Sequence, residues 1–128
     1  GSDALDVDRD TFRAALARRS RMVKSALMDQ EVVAGLGNLT VDEVLWHACV
    51  HPRMRLDALD DRARDRVYEA MRDVLAESVR HGRVPAREGW LTGSREDVQP
   101  TCPRCGAPIE QGVVNSRGTY WCPRCQQL

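Results

Sequence analysis

Apolar residues recur every three or four positions through residues 1–82, which predicts a series of amphipathic helices. The longest predicted helix runs from about Asp61 to His81, with Asp57 or Asp60 as its N-cap and Gly82 as its left-handed terminator. Its predicted core stripe consists of Ala63, Val67, Ala70, Met71, Val74, Leu75, Ser78 and Val79.

Two shorter helices are predicted near the start of the chain. One follows an N-cap at Asp8 or Asp10 and runs to about Arg19, and the next covers residues 22–28. Their predicted core residues are Phe12, Ala15, Leu16, Met22, Val23, Ala26 and Leu27.

A third short helix is predicted at residues 41–49, after the turn Gly35-Leu36-Gly37-Asn38. Asn38 is its expected N-cap, because a short amide side chain accepts a hydrogen bond from a free N–H group of the first turn. Asp42 and Glu43 are expected in that first turn, where the helix dipole favours acidic side chains. The apolar stripe of this helix is Val41, Val44, Leu45 and Ala48.

Residues 83–99 show no periodicity and mix turn-forming residues with three arginines, so we predict a linker there. The chain then divides into a helical domain at 1–82, this linker, and a cysteine-rich unit at 100–128. The expected fold class is mainly α, with a helical bundle followed by a small four-cysteine β-hairpin.

Cysteine spacing predicts a metal site in the last 27 residues, where four of the five cysteines form the pattern C-x2-C-x16-C-x2-C. Each C-x2-C turn brings two thiolates together, and two such turns complete the tetrahedron that one zinc ion prefers. Two disulfides are the alternative, but the odd fifth cysteine and the lack of a leading secretory signal favour zinc. The expected ligands are Cys102, Cys105, Cys122 and Cys125.

The segment between the two cysteine pairs is predicted to be a β-hairpin with a polar tip at residues 115–118. Such a short segment buries little apolar surface, so the metal must supply its folding free energy, on the order of 10 kcal/mol. Cys49 lies apart from the other cysteines in an apolar run. We predict that it is a small buried core residue, with a catalytic role as the alternative.

Charge and composition narrow the possible functions. Nineteen basic and nineteen acidic side chains cancel, which excludes a positively charged coat over the whole surface and requires any anion site to be local. No apolar run approaches the roughly 20 residues of a membrane span, so no membrane partner is expected. A closed four-thiolate site leaves no position for a reactive water, and the serines and histidines suggest no catalytic arrangement. We therefore expect no catalytic residue and no small-molecule cofactor.

Two local features are candidate anion sites. The turn that ends at Asn38 opens a helix, and the free N–H groups of a helix start bind phosphate, although an ordinary capped turn has the same sequence. Arg117 lies at the predicted hairpin tip, where it either contacts phosphate or is simply solvated. Lys24 is the only lysine, yet its neighbours Arg21 and Ser25 predict a solvated helix face. A solvated face is also expected for the cluster of Arg13, Arg18, Arg19, Arg21 and Lys24.

Two longer stretches are specific when taken together. The first is Leu27-Met28-Asp29-Gln30-Glu31-Val32-Val33-Ala34-Gly35-Leu36-Gly37-Asn38, continued by Val41-Asp42-Glu43-Val44-Leu45-Trp46 and His51-Pro52. The second is Cys102-Pro103-Arg104-Cys105-Gly106, followed by Arg117-Gly118-Thr119-Tyr120-Trp121-Cys122-Pro123-Arg124-Cys125-Gln126. The first resembles the helix–two-turn–helix domain of the formamidopyrimidine-DNA glycosylase and endonuclease VIII family, and the second resembles that family's C-terminal zinc finger. Together they cover nearly the whole chain in the family's order.

This resemblance implies a function in base-excision repair of oxidised bases, by a glycosylase that is also an abasic-site lyase. It implies that Asn38, with Gly37 in the same turn, holds a backbone phosphate of damaged double-stranded DNA. It also implies that Arg117 grips the phosphate that flanks the flipped nucleotide. Lys24 falls where the family often has a lysine, so it is carried over as a DNA-binding residue. The protein expected is a monomer in the bacterial cytoplasm, associated with the nucleoid.

The chain also departs from the family pattern. The family's nucleophile is an N-terminal proline amine followed by a glutamate, whereas this chain begins Gly1-Ser2-Asp3. We therefore expect the C-terminal half of a glycosylase, inactive by itself. Thr40 stands in place of an aromatic residue, which affects the expected packing below the turn. Ser116 stands in place of a glycine, which affects the flexibility of the finger tip.

A stand-alone zinc-ribbon adaptor that binds protein or RNA is the alternative function. The two hypotheses differ in geometry. A DNA clamp requires Asn38 and Arg117 to converge on one face of the molecule, and an adaptor does not.

Overall fold

The computed structural model describes residues 1–17, 20–82 and 84–128. Its helices are α1 (Arg9–Ala17), α2 (Val23–Met28), α3 (Asn38–Ala48) and α4 (Asp61–His81). Its strands are β1 (Ser2–Asp3), β2 (Val33–Ala34), β3 (Glu110–Val114) and β4 (Arg117–Trp121), and short 3-10 turns lie at Leu56–Ala58 and Leu91–Gly93. Within these described segments, no helix is long and apolar enough to cross a membrane.

Helix α3 lies at the centre of the fold. Apolar side chains lie on several of its faces, and the helix is accordingly buried between α2, α4 and the β3–β4 hairpin. The main core joins α3 to the inner faces of α1, α2 and α4. A second, smaller core joins Trp46 of α3 to Leu91, Cys102, Ile109 and Cys122, so the hairpin unit is packed directly against the helices.

Helix α4 has the predicted bounds because both of its ends are set by local sequence. The Asp60 carboxylate accepts a hydrogen bond from the Ala63 N–H at 2.8 Å, and Gly82 ends the helix with a φ of 73°. The predicted core stripe is wrong in the last turn, where Ser78 is only half-buried and Val79 is 62% exposed. The buried face ends at Leu75, so this last turn extends beyond the core.

The structure gives the starts of α1 and α2 in more detail than the sequence predicts them. Asp8 caps α1, since its carboxylate accepts from the Thr11 N–H at 2.7 Å. The predicted extension to Arg19 lies outside the described residues. Met22 was expected in the core but is an exposed residue at the N-cap of α2, where it forms an isolated bridge with Arg55.

Helix α3 begins earlier than predicted. Gly37 is its N-cap, in extended conformation, and Asn38 is the first helical residue, so the prediction of Asn38 as the N-cap is wrong. Asp42 and Glu43 consequently lie in the second turn, beyond the free N–H groups, and both are buried. Their carboxylates bind other side chains and backbone N–H groups instead of the helix start.

Cys49 is exposed, so the prediction that it is a core residue is wrong. It caps the C-terminus of α3 in the left-handed conformation, with a φ of 58°. That backbone conformation reverses the chain at the end of the helix and turns the thiol away from the core.

The predicted hairpin is present, but its turn is two residues long, and Arg117 and Gly118 of the predicted tip at 115–118 belong to β4. Strands β3 and β4 pair antiparallel, and Val114 lies opposite Arg117 across a two-residue turn. Both turn residues, Asn115 and Ser116, have positive φ values of 53° and 63°, as a type I′ turn requires.

Residues 84–99 contain no α-helix, but they are held against α3. Leu91, Thr92 and Arg95 are buried, and the backbone N–H groups of Leu91 and Thr92 donate to the Glu43 carboxylate at 2.9 and 2.8 Å. Arg83 lies outside the described residues.

Candidate nucleic-acid interface and zinc site

The four predicted cysteines converge on one point. Their Sγ atoms all lie within 4.8 Å of one another, with 3.4 Å between Cys105 and Cys122 and 3.9 Å between Cys102 and Cys125. Tetrahedral zinc with Zn–S bonds of about 2.3 Å separates its sulfurs by about 3.8 Å, so the cluster fits one zinc ion. None of the five cysteines forms a disulfide. The site is that of one structural zinc.

Surrounding N–H groups support the thiolates. The Trp46 indole N–H donates to Cys102 Sγ at 3.3 Å, and Arg104 Nε donates to Cys125 Sγ at 3.4 Å. The Arg104 guanidinium also lies over the Trp46 ring, 4.2 Å from its centroid, and donates to the Trp46 carbonyl at 2.8 Å. Such contacts orient ligands and stabilise their charge. They also attach the zinc site to α3.

Lys24 is fully buried, so the prediction of a solvated lysine is wrong. Its ammonium donates to Asp42 Oδ1 at 2.7 Å, to Thr119 Oγ1 at 2.7 Å and to the Gly118 carbonyl at 3.3 Å. Three acceptors match the three hydrogens of an ammonium group. In this arrangement the Lys24 ammonium has no hydrogen left to donate to a phosphate.

Asp42 is the acceptor where three chain segments meet. Besides Lys24 of α2, it accepts from Arg95 Nη1 at 3.1 Å and from the Tyr120 N–H of β4 at 3.3 Å. Burial lowers the pKa of Lys24, and the neighbouring Asp42 carboxylate opposes that shift. Burial raises the pKa of Asp42, opposed by Lys24 and Arg95. The three charged side chains therefore pair with one another inside the protein, where burial opposes their charged forms.

Asn38 and the finger tip are in direct contact. Asn38 Nδ2 donates to the Gly118 carbonyl at 3.0 Å, across 80 residues of sequence. Gly118 follows Arg117 in β4, and the Arg117 side chain is exposed, with no ion pair to any residue in the described ranges. The start of α3 thus contacts the backbone of the residue that follows Arg117.

The start of α3 is open beside this contact. Within the described residues, no side chain caps α3, and Gly37 is exposed with nothing near the position of a Cβ atom. The first-turn N–H groups of a helix have no partner inside the helix. The start of a helix carries a partial positive charge that favours an anion.

Arg13 and Arg21, two other members of the predicted basic cluster, have partners. Arg13 forms a two-point pair with Asp65, and Arg21 pairs with Asp29 at 2.6 Å. Arg18 and Arg19 lie outside the described residues.

Several residues of this region were not identified from the sequence. Asp42, Glu43 and Thr119 are buried polar residues that bind distant segments, and Trp46 donates to a zinc ligand. The sequence could have indicated the burial of Thr119, because side chains alternate between the two faces of a strand and Thr119 shares the inner face of β4 with Trp121.

The comparisons with known proteins agree with both parts of the chain. Residues 1–88 match the family model described as the formamidopyrimidine-DNA glycosylase H2TH domain, and residues 100–128 match the zinc finger found in FPG and IleRS. A formamidopyrimidine-DNA glycosylase of Enterococcus faecalis is 38% identical over 130 residues, covering 92% of this chain and 46% of that protein.

Solved structures give the same result. The complex of Lactococcus lactis Fpg with DNA containing an abasic site matches with a TM-score of 0.86 and 31% identity, over 100% of this chain and 52% of that one. A mutant of the Lactococcus lactis protein bound to Fapy-dG-containing DNA matches with a TM-score of 0.88 and 29% identity, over 100% and 52%. The chain thus spans about half the length of the relatives that it matches.

Proposed function

Because the chain belongs to the formamidopyrimidine-DNA glycosylase family, with the H2TH domain and the zinc finger of that family, we propose that it is the DNA-binding part of a base-excision-repair glycosylase. Its proposed partner is damaged double-stranded DNA of the bacterial nucleoid, bound by one copy of the chain. The proposed activity of the whole protein is that of a glycosylase and abasic-site lyase acting on oxidised bases. The abasic and Fapy-dG ligands of the solved relatives support this choice.

The single observation that carries the proposal is the contact between Asn38 and the Gly118 carbonyl at 3.0 Å. It joins the start of α3 to the backbone of Gly118, next to the exposed Arg117, although the two lie in different domains of the sequence. A stand-alone adaptor has no need for this convergence. A phosphate clamp depends on it, because separate donors must reach one kinked backbone.

The chemistry of the donors suits a phosphate. Asn38 uses one amide hydrogen on Gly118 and has a second to donate. The N–H groups of the first turn of α3 are parallel to one another and point out of the start of the helix, where they favour an anion. The planar guanidinium of Arg117 offers two parallel N–H donors to phosphate oxygens. Base flipping costs a few kcal/mol of unstacking, which such contacts offset.

The zinc finger holds Arg117 in place by its packing against the helices. Four thiolates close the metal site, so the zinc has a structural role and fixes the base of the hairpin. The hairpin base is attached to α3 through Trp46 and Arg104. DNA binding is therefore expected to require the zinc.

The test is a fluorescence anisotropy titration of duplex DNA that contains a reduced abasic-site analogue. Asn38→Ala and Arg117→Ala are each expected to weaken binding roughly tenfold, because each removes a phosphate contact. The matched control is Arg124→Ala, which removes an exposed arginine of the same finger away from the clamp. Equal affinities for all four chains would refute the clamp. Strand cleavage is measured in parallel and is expected to be absent for this 128-residue chain.

A further inference from the structure

We propose that Thr119 is a positioning residue for DNA binding, whose hydroxyl group holds the backbone carbonyl of Arg117 and thereby directs the Arg117 side chain toward phosphate. This inference rests on the proposed function, since it assigns Arg117 the role of clamp. It adds a buried relay of hydrogen bonds that runs from α3 to the exposed tip of the finger. The relay contains Asp42, Lys24, Thr119 and Arg117.

The order of donors and acceptors in the relay is fixed by chemistry. Lys24 has only hydrogens to donate, and it gives one to Asp42 Oδ1 and one to Thr119 Oγ1, both at 2.7 Å. The Thr119 oxygen therefore acts as an acceptor toward Lys24. Its single hydrogen is left for the Arg117 carbonyl, which lies 2.9 Å away. No other arrangement of these protons satisfies all four groups.

Burial makes the relay stiff. Lys24 and Asp42 are fully buried and Thr119 is 1% exposed, so water does not compete for the hydrogen bonds that Lys24 donates to Asp42 and Thr119. Arg117 is exposed and begins β4 directly after the two-residue turn. The hydroxyl of Thr119 thus connects the backbone of an exposed residue to a buried network.

Helix α3 contacts the finger tip at two points on one face. Asn38 and Asp42 are four residues apart, so their side chains lie one above the other on the helix. Asn38 donates to the Gly118 carbonyl at 3.0 Å, and Asp42 reaches the Thr119 hydroxyl through Lys24. The carbonyls of Arg117 and Gly118 are therefore both held, the first by Thr119 and the second by Asn38 and Lys24.

A backbone carbonyl that is held in place fixes the plane of its peptide group. For Arg117 this sets the direction in which the side chain leaves the strand, and hence where its guanidinium meets DNA. Loss of the Thr119 hydroxyl is expected to leave the hairpin folded by zinc, while Arg117 samples more directions. Binding weakens because the arginine must then be ordered at the moment of association.

The experiment compares Thr119→Val, which replaces the hydroxyl with a methyl group of similar size, and Thr119→Ser, which keeps a hydroxyl. Thr119→Val is expected to weaken binding of the reduced abasic duplex roughly fivefold, as for the loss of the hydrogen bond to the Arg117 carbonyl, and Thr119→Ser is expected to regain most of that affinity. Thr101→Val is the matched control, since Thr101 is an exposed threonine of the same finger. Zinc stoichiometry and circular dichroism are measured for each chain.

The same substitution in an Arg117→Ala background separates positioning from general stability. If Thr119 acts through Arg117, Thr119→Val changes affinity by less than about twofold in that background. An undiminished fivefold loss there would overturn the inference, as would equal affinities of Thr119→Val and wild type. Should Thr119→Val lose zinc, Thr119→Ala is measured in its place, because it removes the same hydroxyl without the added methyl group.

Failure of the inference and failure of the proposed function give different results. If Arg117→Ala binds DNA as tightly as wild type, the clamp itself is refuted. If Arg117→Ala weakens binding and Thr119→Val does not, the clamp stands and only the relay is refuted.

Discussion

Replacement of Lys24 by methionine tests the buried network through the stability of the folded protein. Methionine fills the space of the lysine stem but leaves Asp42 with one fewer counter-charge in a fully buried position. Removal of one partner of a buried ion pair costs about 3–5 kcal/mol. Because Arg95 Nη1 and the Tyr120 N–H still donate to Asp42, we expect the lower end, about 3 kcal/mol.

The assay is urea denaturation of zinc-loaded protein at about pH 7, followed by circular dichroism. The matched control is Arg21→Met, which removes an ion pair with Asp29 in which the two side chains are 37% and 29% exposed. A pair this exposed contributes about 1 kcal/mol or less. Equal losses for Lys24→Met and Arg21→Met would refute the conclusion that the buried network stabilises the fold.

A second readout is the pH dependence of the loss in unfolding free energy that Lys24→Met causes. Burial raises the pKa of Asp42, and Lys24 opposes that shift, so removal of Lys24 raises the pKa further. A carboxyl group with a raised folded-state pKa is protonated more readily in the folded than in the unfolded chain. The deficit in the free energy of unfolding relative to wild type is therefore expected to shrink as the pH falls through the pKa of Asp42. A deficit that stays constant or grows over this range would contradict the assignment.

Three further predictions address the metal site and a helix cap. Trp46→Phe removes the N–H donor to Cys102 Sγ and is expected to lower zinc affinity roughly tenfold in a chelator competition, with unchanged helical circular dichroism. Asp60→Ala is expected to cost about 1 kcal/mol in thermal denaturation by removing the N-cap of α4, whereas the nearby Asp57→Ala is close to neutral. Cys49→Ser is expected to keep one zinc per chain by elemental analysis, and Cys102→Ser to lose it.

The features that the sequence predicts well are those set by neighbouring residues. The bounds of α4 follow from Asp60 and Gly82, which act within one helical turn of its ends. The zinc ligands follow from the C-x2-C spacing, because a tight turn alone brings each pair together. The β-hairpin follows from alternating residues on either side of a polar tip, although the turn itself uses only Asn115 and Ser116 of the predicted tip at 115–118.

The features that the sequence does not predict depend on residues far apart in the chain. Lys24 is buried because it meets Asp42 18 residues later and Thr119 95 residues later, and no local pattern reports either contact. Asn38 resembles an N-cap, but its amide binds Gly118 80 residues away, which leaves Gly37 at the cap position. In both cases a tertiary hydrogen bond overrides a local preference.

The exposure of Cys49 is a further feature that the local sequence does not predict. The apolar neighbours of Cys49 predict burial, yet the left-handed backbone at the end of α3 turns the thiol outward. A helix that ends one residue earlier or later would change which side chain points to the core.

The most direct test of the proposed role in DNA binding compares a duplex that contains the reduced abasic-site analogue with an intact duplex of the same sequence, by anisotropy at two salt concentrations. The clamp formed by Asn38 and Arg117 predicts tighter binding of the abasic duplex, with an affinity for both duplexes that falls as salt rises. Equal affinity for the two duplexes, or no binding by the fully zinc-loaded chain, would contradict a lesion clamp.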